Sequence, residues 1–376
     1  MLNYEKEIRL TIIVSLLVIY LFNQVLELLS SQRKKHLKME INLLKYFTVK
    51  RLFNAIRILL SFWLSRIIRK PIVWGMPISY SIEPTNHCNL KCPECPSGLG
   101  ILTRPLGLLK TDDFKKWIDE IKETGFYVQL FFQGEPYINK NLPEMIRYAQ
   151  DNKIYVSIST NGHFINENNV DKVLESAPDK LIYSVDGLDE ESYQNYRVGG
   201  TFAQVDSALR TLVRRKKELR QKRPFIEFQF IVMKQNEHLL EDVKRYCKEV
   251  GVDKLVFKTM QISSYENAVK FLPTNKKYRR YVIENNSFRI KAEIKNHCFA
   301  LWRTAVITWD GKLVPCCFDK DAEFSLGVLN GKSVKDIWLS ENYNNFRQSI
   351  LTDRKQNKMC TNCTEGLKIN ILEIEQ

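Results

Sequence analysis

The sequence predicts an α/β protein built on a parallel sheet, and three patterns carry that expectation. Six short apolar runs read as strands: ISYSIEP (78–84), VQLFFQGE (128–135), YVSISTNG (155–162), KLIYSVDG (180–187), FIEFQFIV (225–232) and KLVFKTM (254–260). Amphipathic helical patterns lie between them near 111–123, 141–151, 166–176, 201–222 and 236–250. Strand–helix repetition of this kind gives a parallel sheet, open or closing into a barrel. The third pattern is the position of the polar motifs. Cys88–Cys95 follows the first run, Gly134–Glu135–Pro136 ends the second, Thr160–Asn161–Gly162 the third and Ser184–Val185–Asp186–Gly187 the fourth. Gly, Asn and Asp are ordinary turn residues after any strand. Four such motifs on one rim point to a site, because parallel sheets hold ligands at the C-terminal ends of their strands.

The cysteines set the chemistry. Nine occur in 376 residues: Cys88/Cys92/Cys95, Cys298/Cys316/Cys317/Cys360/Cys363, and Cys247 alone between the groups. A disulfide framework belongs to short secreted chains. Closely spaced cysteines in a long, lysine-rich chain bind metal or do redox chemistry, and they indicate a reducing, cytoplasmic compartment. Cys247, within the helical stretch EDVKRYCKEV, reads as a packed small residue rather than a ligand.

The first loop is Cys88-Asn-Leu-Lys-Cys92-Pro-Glu-Cys95. Three thiolates on one loop can ligate three corners of a cubane cluster. The fourth iron then stays open to an exogenous chelate, as catalytic metal sites keep an open position. Zinc is the rival for closely spaced cysteines, with His87 as its only nearby fourth donor. The C-x3-C-x2-C spacing resembles the radical SAM superfamily, over residues 78 to about 285. That resemblance implies a partial (β/α)6 TIM-like barrel, a [4Fe-4S] cluster on Cys88, Cys92 and Cys95, and bound S-adenosylmethionine. It also implies reductive cleavage to a 5′-deoxyadenosyl radical that abstracts hydrogen from substrate. On the family's pattern Gly134–Glu135–Pro136 contacts the methionine amino group, with Gln133 replacing the first glycine. Ser184 matches a contact to bound S-adenosylmethionine. Arg197 resembles the arginine that pairs with its carboxylate, a role that suits a bidentate guanidinium. Glu94 stands where an aromatic residue usually backs the adenine.

The second cysteine set brackets AVITWDGKLVPCC, whose Asp310–Gly311 is a β-hairpin turn signal. Amphipathic stretches near 333–339 and 341–351 follow. The arrangement resembles the SPASM and twitch auxiliary domains, and its cysteine count implies one auxiliary [4Fe-4S] cluster on Cys298, Cys316, Cys360 and Cys363. Cys317 is the substitute for Cys316, and a structural zinc is the rival occupant.

The N-terminal fifth is basic. Thirteen Lys/Arg against four Asp/Glu in residues 1–76 carry most of the +14 formal charge. Such a segment suits an anionic membrane surface or an acidic partner. Leu10–Leu26 is a 17-residue run without charge, at the lower edge of what spans a bilayer. Arg33, Lys34, Lys35 and Lys38 after it would keep the remainder on the cytoplasmic side. From Tyr46 to Lys70, Leu52, Ile56, Leu59, Leu60, Trp63 and Ile67 can share one helical face, which either lies in a membrane interface or packs on the catalytic domain. No aromatic–basic nucleic-acid motif is present.

The expected organisation is therefore a hydrophobic, basic helical extension (1–76), a radical SAM core (77–285), and a connector with the auxiliary cluster domain (286–376). The expected activity is radical peptide or protein maturation, or C–H oxidation, with a flavodoxin- or ferredoxin-type reductant. Dehydrogenation of a sugar, modification of a lipid-linked envelope precursor, and a non-enzymatic electron carrier are the alternatives. No general base is identifiable: carboxylates such as Glu266, Asp310 or Asp319 would be candidates, and each reads first as a surface or turn residue.

Overall fold

The computed structural model describes Tyr46, residues 48–365 and residues 372–375. The expectations for Leu10–Leu26 lie outside the described residues. Among the described residues, no helix is long and apolar enough to cross a membrane.

All six expected strands form, as β1 (Ser79–Ile82), β2 (Tyr127–Gln129), β3 (Tyr155–Thr160), β4 (Lys180–Ser184), β5 (Phe225–Val232) and β6 (Lys254–Thr259). They pair in sequence order, each parallel to the next. Val128, Ile158, Leu181, Phe228 and Leu255 are fully buried, as expected for strands covered on both faces. The connecting helices are α3 (Thr111–Ile121), α4 (Leu142–Asp151), α5 (Val170–Glu175), α7 (Phe202–Glu218) and α8 (Leu240–Val250), while α2 (Pro96–Leu99) and α6 (Glu190–Gln194) are short insertions in the loops. Strand β2 is shorter than its apolar run, because the chain leaves the ladder to bring Phe132–Glu135 to a cavity. Helix α5 starts later than its pattern because Asn166 and Asn169 tie residues 166–169 into a turn through side-chain hydrogen bonds.

The C-terminal part is not a detached appendage. Strand β9 (Thr304–Ile307) pairs parallel with β1, and the expected hairpin continues outward through β10 (Lys312–Val314) and β11 (Gly327–Val328). With β12 (Leu372–Glu375) beside β6, one ten-stranded open sheet runs through both cysteine regions. Before the hairpin come α9 (Tyr265–Phe271), an unforeseen β7–β8 hairpin (Tyr281–Glu284, Ser287–Ile290) and α10 (Ala300–Arg303). After it come α11 (Val334–Trp338), α12 (Glu341–Asp353) and α13 (Lys358–Thr361).

Helix α1 (Val49–Ile68) closes the end of the sheet where the strands begin. Its buried face is largely polar: Arg51, Asn54, Ser61 and Ser65, with Ile58 and Phe62. Arg51 donates to the carbonyls of Lys122, Asn152 and Lys153, just past the C-termini of α3 and α4. A cation there satisfies orphan carbonyls and the negative helix ends together. Asn54 exchanges two hydrogen bonds with the backbone of Met76, ahead of β1. Of the face that could either lie in a membrane interface or pack on the catalytic domain, Leu52, Ile56 and Ile67 are exposed, whereas Leu59, Leu60 and Trp63 are half-buried.

Candidate active site: an open cavity with three thiols and a second thiol cluster

A cavity of about 400 Å3 lies at the strand ends, opposite α1. Residues following β1 to β6 all line it: Cys88, Cys92 and Cys95, then Gln133–Glu135, Thr160–Asn161, Ser184, Ile231 and Thr259–Gln261. Of the residues singled out in sequence for the first site, the three cysteines, Gly134, Glu135, Ser184 and Arg197 all reach this one space.

The thiol loop is fixed against the end of β2. Gly134 has φ +73°, and a Cβ there would lie 2.5 Å from the His87 carbonyl oxygen, so glycine is required on two counts. The amide of Glu135 donates to that same carbonyl at 2.7 Å. Gln133, in place of the family's glycine, does not have a positive φ, so a side chain is tolerated at that point. The Glu135 carboxylate accepts from Thr160 Oγ1 (2.8 Å), the Asn161 amide (2.7 Å) and the Tyr137 amide. Burial lifts this carboxyl to about 7, while those hydrogen bonds pull it back down. Glu135 thus braces the ends of β2 and β3 together.

Arg197 is not a surface salt bridge. Its Nε donates to Asp186 Oδ2 at 2.6 Å, in a pair whose carboxylate is fully buried and also accepts from the Ile231 amide. Burial works against the guanidinium charge, and Asp186 together with Cys92 more than offsets it. Arg197 therefore presents a fixed cation beside Cys92. Burial pushes the Cys88 and Cys92 thiols up to about 11, with Arg197 acting in the opposite direction on Cys92. Iron loading at these positions would have to release protons.

The three thiols fit an iron–sulfur cluster better than a single ion. Among the described residues, no three His, Cys, Asp or Glu groups converge on one ion-sized point. Thiols distributed around a cavity wall suit a cluster whose corners each take one cysteine.

The second cysteine group assembles from distant segments. Cys298 precedes α10, Cys316 and Cys317 follow β10, Cys360 lies in α13, and Cys363 follows it. Cys316 sits in the field of Cys298 and Cys363; Cys317 also feels Cys363, but it is open to the main cavity, which it lines beside Lys320. Buried Arg354 donates to Cys363 Sγ at 3.4 Å and lies close to Cys298 and Cys360 as well. Sequence reading missed this cation, since nothing in its neighbours announces that it enters the cysteine cluster.

Other residues were missed for the same reason. Glu83, at the end of β1, takes both terminal nitrogens of Arg104 (2.5 and 2.6 Å) and accepts from the Gln133 and Trp309 amides. Arg104 Nε donates onward to the Lys320 carbonyl. This buried knot ties the thiol loop, β2 and the β9–β10 turn together. Arg280 lines the cavity, anchored on Thr259. Glu266, Asp310 and Asp319 are surface and turn residues, as first read from the sequence: Glu266 is exposed on α9, Asp310 engages Thr308 in a turn, and Asp319 accepts from the Glu323 and Phe324 amides. The carboxylates that do line the cavity are Glu135 and Glu94, and Glu94 Oε1 is buried without a hydrogen-bond partner. Cys247 is fully buried in α8, as expected of a packing residue.

Fold and cavity define a partial-barrel protein that carries one three-thiol loop and a second thiol cluster. Residues 82–246 match the model of the radical SAM superfamily, and residues 298–364 match that of an iron–sulfur cluster-binding domain, SPASM. The chain thus carries a radical SAM domain and a C-terminal SPASM domain, and its cofactors are iron–sulfur clusters and S-adenosylmethionine. It is 27% identical over 315 residues to a tungsten-containing aldehyde ferredoxin oxidoreductase cofactor-modifying protein of Pyrococcus furiosus, covering 75% of this chain and 86% of that one. It is 25% identical over 299 residues to a PqqA peptide cyclase of Rhodopseudomonas palustris, covering 73% and 77%. Among solved structures, Streptococcus suis SuiB bound to its precursor peptide SuiA superposes with a TM-score of 0.56 at 15% identity, covering 79% of this chain and 72% of that one, a likeness of fold.

Proposed function

We propose that this chain is a radical SAM enzyme that modifies an unactivated C–H position on a peptide or protein substrate. The observation that carries the radical chemistry is the cavity itself, where three thiols from one loop face the ends of all six parallel strands. The peptide class draws support from the PqqA peptide cyclase relative, whose match covers 73% of this chain. When bound, the cluster and S-adenosylmethionine supply a 5′-deoxyadenosyl radical that takes a hydrogen atom from substrate.

Each residue then has a task. Cys88, Cys92 and Cys95 hold the cluster and leave one corner without a protein ligand. The backbone at Gly134–Glu135 and the Ser184 hydroxyl bind and orient the cofactor's methionine end. Arg197, held by Asp186, offers its remaining nitrogens to a carboxylate. Leu90, Tyr196 and Met260 supply apolar wall that keeps water from the reacting centre. Cys298, Cys316, Cys360 and Cys363 hold the auxiliary cluster, and Arg354 offsets its negative charge.

The test is anaerobic reconstitution with iron, sulfide, S-adenosylmethionine and a strong reductant. 5′-Deoxyadenosine should form, and precursor-type peptides should stimulate it and themselves change in mass. Stimulation by amino sugars but by no peptide would overturn the substrate class. No 5′-deoxyadenosine above background would leave an electron carrier.

A further inference from the structure

We infer that the outward face of α1 is a docking surface for an anionic lipid bilayer. Val49, Leu52, Phe53, Ile56 and Ile67 fall on one side of the helix, at the i, i+3, i+4 and i+7 spacings of a single stripe. They are 43–71% exposed, whereas Arg51, Asn54, Ser61 and Ser65 face inward. The usual amphipathic arrangement is thus reversed. The helix is anchored to the protein by hydrogen bonds together with Ile58 and Phe62, and among the described residues both ends of its apolar stripe stay exposed while Leu60 and Trp63 between them are half-buried.

Charge selects the occupant. Residues 49–70 contain no Asp or Glu. Arg57, Arg66, Arg69 and Lys70 border or follow the stripe, and Trp74, 52% exposed, lies just beyond. An apolar stripe with basic flanks and a nearby tryptophan is the composition that settles into a headgroup interface. A second copy of this chain would set these cations against one another, whereas anionic lipid neutralises them. Upstream in sequence, the uncharged run 10–26 and the basic cluster at 33–38 lead into the same helix, and both favour the same kind of surface.

The placement has a functional corollary. The helix closes the end where the strands start, and the cavity opens where they finish. A docked enzyme would turn its active site towards the aqueous phase, and so towards a soluble substrate.

The test uses the full-length holoprotein, sedimented with phosphatidylcholine vesicles with and without phosphatidylglycerol. A background carrying Ile13→Glu and Val18→Glu disables the upstream run, so that the helix is read by itself. In that background we expect binding to anionic vesicles that weakens with salt. Adding Phe53→Glu and Ile56→Glu should lower it more than about tenfold. Adding instead Arg57→Gln and Lys70→Gln should cost on the order of fivefold per cation removed. The near-ultraviolet circular dichroism and iron content should not change, and the charge pair gives an independent reading if the glutamates perturb folding. Equal binding to neutral and anionic vesicles, or anionic binding that neither pair lowers, would overturn the inference. A dimer that Phe53→Glu/Ile56→Glu dissociates without affecting vesicle binding would assign the face to a second copy.

Discussion

The two cysteine regions reach similar chemistry by opposite routes. The first takes three thiols from one eight-residue loop and leaves them facing a cavity, with Arg197 held to one side by Asp186. The second gathers thiols from three segments spread between Cys298 and Cys363 and packs them round Arg354. A site built on one loop keeps a side open for a small molecule, while a site closed by tertiary structure suits electron transfer or support. The openness of the first follows from its being local. The rigidity of the second follows from its being assembled.

The contrast can be broken most severely at the loop. Replacing Cys88, Cys92 and Cys95 together by alanine should abolish 5′-deoxyadenosine formation and lower the iron content from about eight to about four per chain, one cubane per thiolate set. Iron and sulfide analysis after anaerobic purification measures this, and complete loss of iron would mean that the two sites are not independent. Next comes the choice between neighbours in the second region. Cys316→Ser should cost about half the iron, while Cys317→Ser should retain nearly all of it. Equal losses would show that the cavity-facing thiol is also a ligand.

A change between the two regions should be smaller but still large in stability. Glu83→Gln breaks a buried ion pair and weakens two backbone anchors, at a cost of about 3–5 kcal/mol in chemical denaturation. A loss below 1 kcal/mol would mean that the knot contributes little to holding the hairpin on β1. The subtlest effect is electronic. Arg354→Gln should move the auxiliary cluster's reduction potential negative by on the order of tens of millivolts, because net charge and hydrogen bonds to sulfur set such potentials. An electron paramagnetic resonance redox titration would detect it, and the cavity cluster should not shift.

The same contrast explains what was legible in the sequence. The thiol loop, the strand order and the rim motifs depend on spacing within a few residues, and the structure places them as expected. Both carboxylates of the cavity were noticed for other reasons, Glu135 as part of a turn and Glu94 as a departure from an aromatic. No general base could be read from the sequence, because proximity to a motif along the chain does not report which way a side chain points, and Glu266, Asp310 and Asp319 are surface and turn residues, in keeping with their first reading. Arg354, Glu83, Arg104 and Arg280 act through partners up to 226 residues away, as in the bond from the Trp309 amide to Glu83. No local pattern encodes such partnerships. Helix α1 marks a different limit: its hydrophobic periodicity was legible, but the choice between a membrane interface and core packing was not, because periodicity identifies an apolar face without saying whether protein or solvent meets it.

The pairing of β9 with β1 has a consequence for any attempt to take the molecule apart. Cutting the chain before Thr304 would not release a self-sufficient barrel. It would strip a parallel neighbour from the strand that leads into the thiol loop, expose that strand's backbone as a sticky margin, and leave Glu83 without one of its anchors. The two thiol regions are thus joined by hydrogen bonds across a continuous ladder rather than by a hinge, and their separation is part of the scaffold.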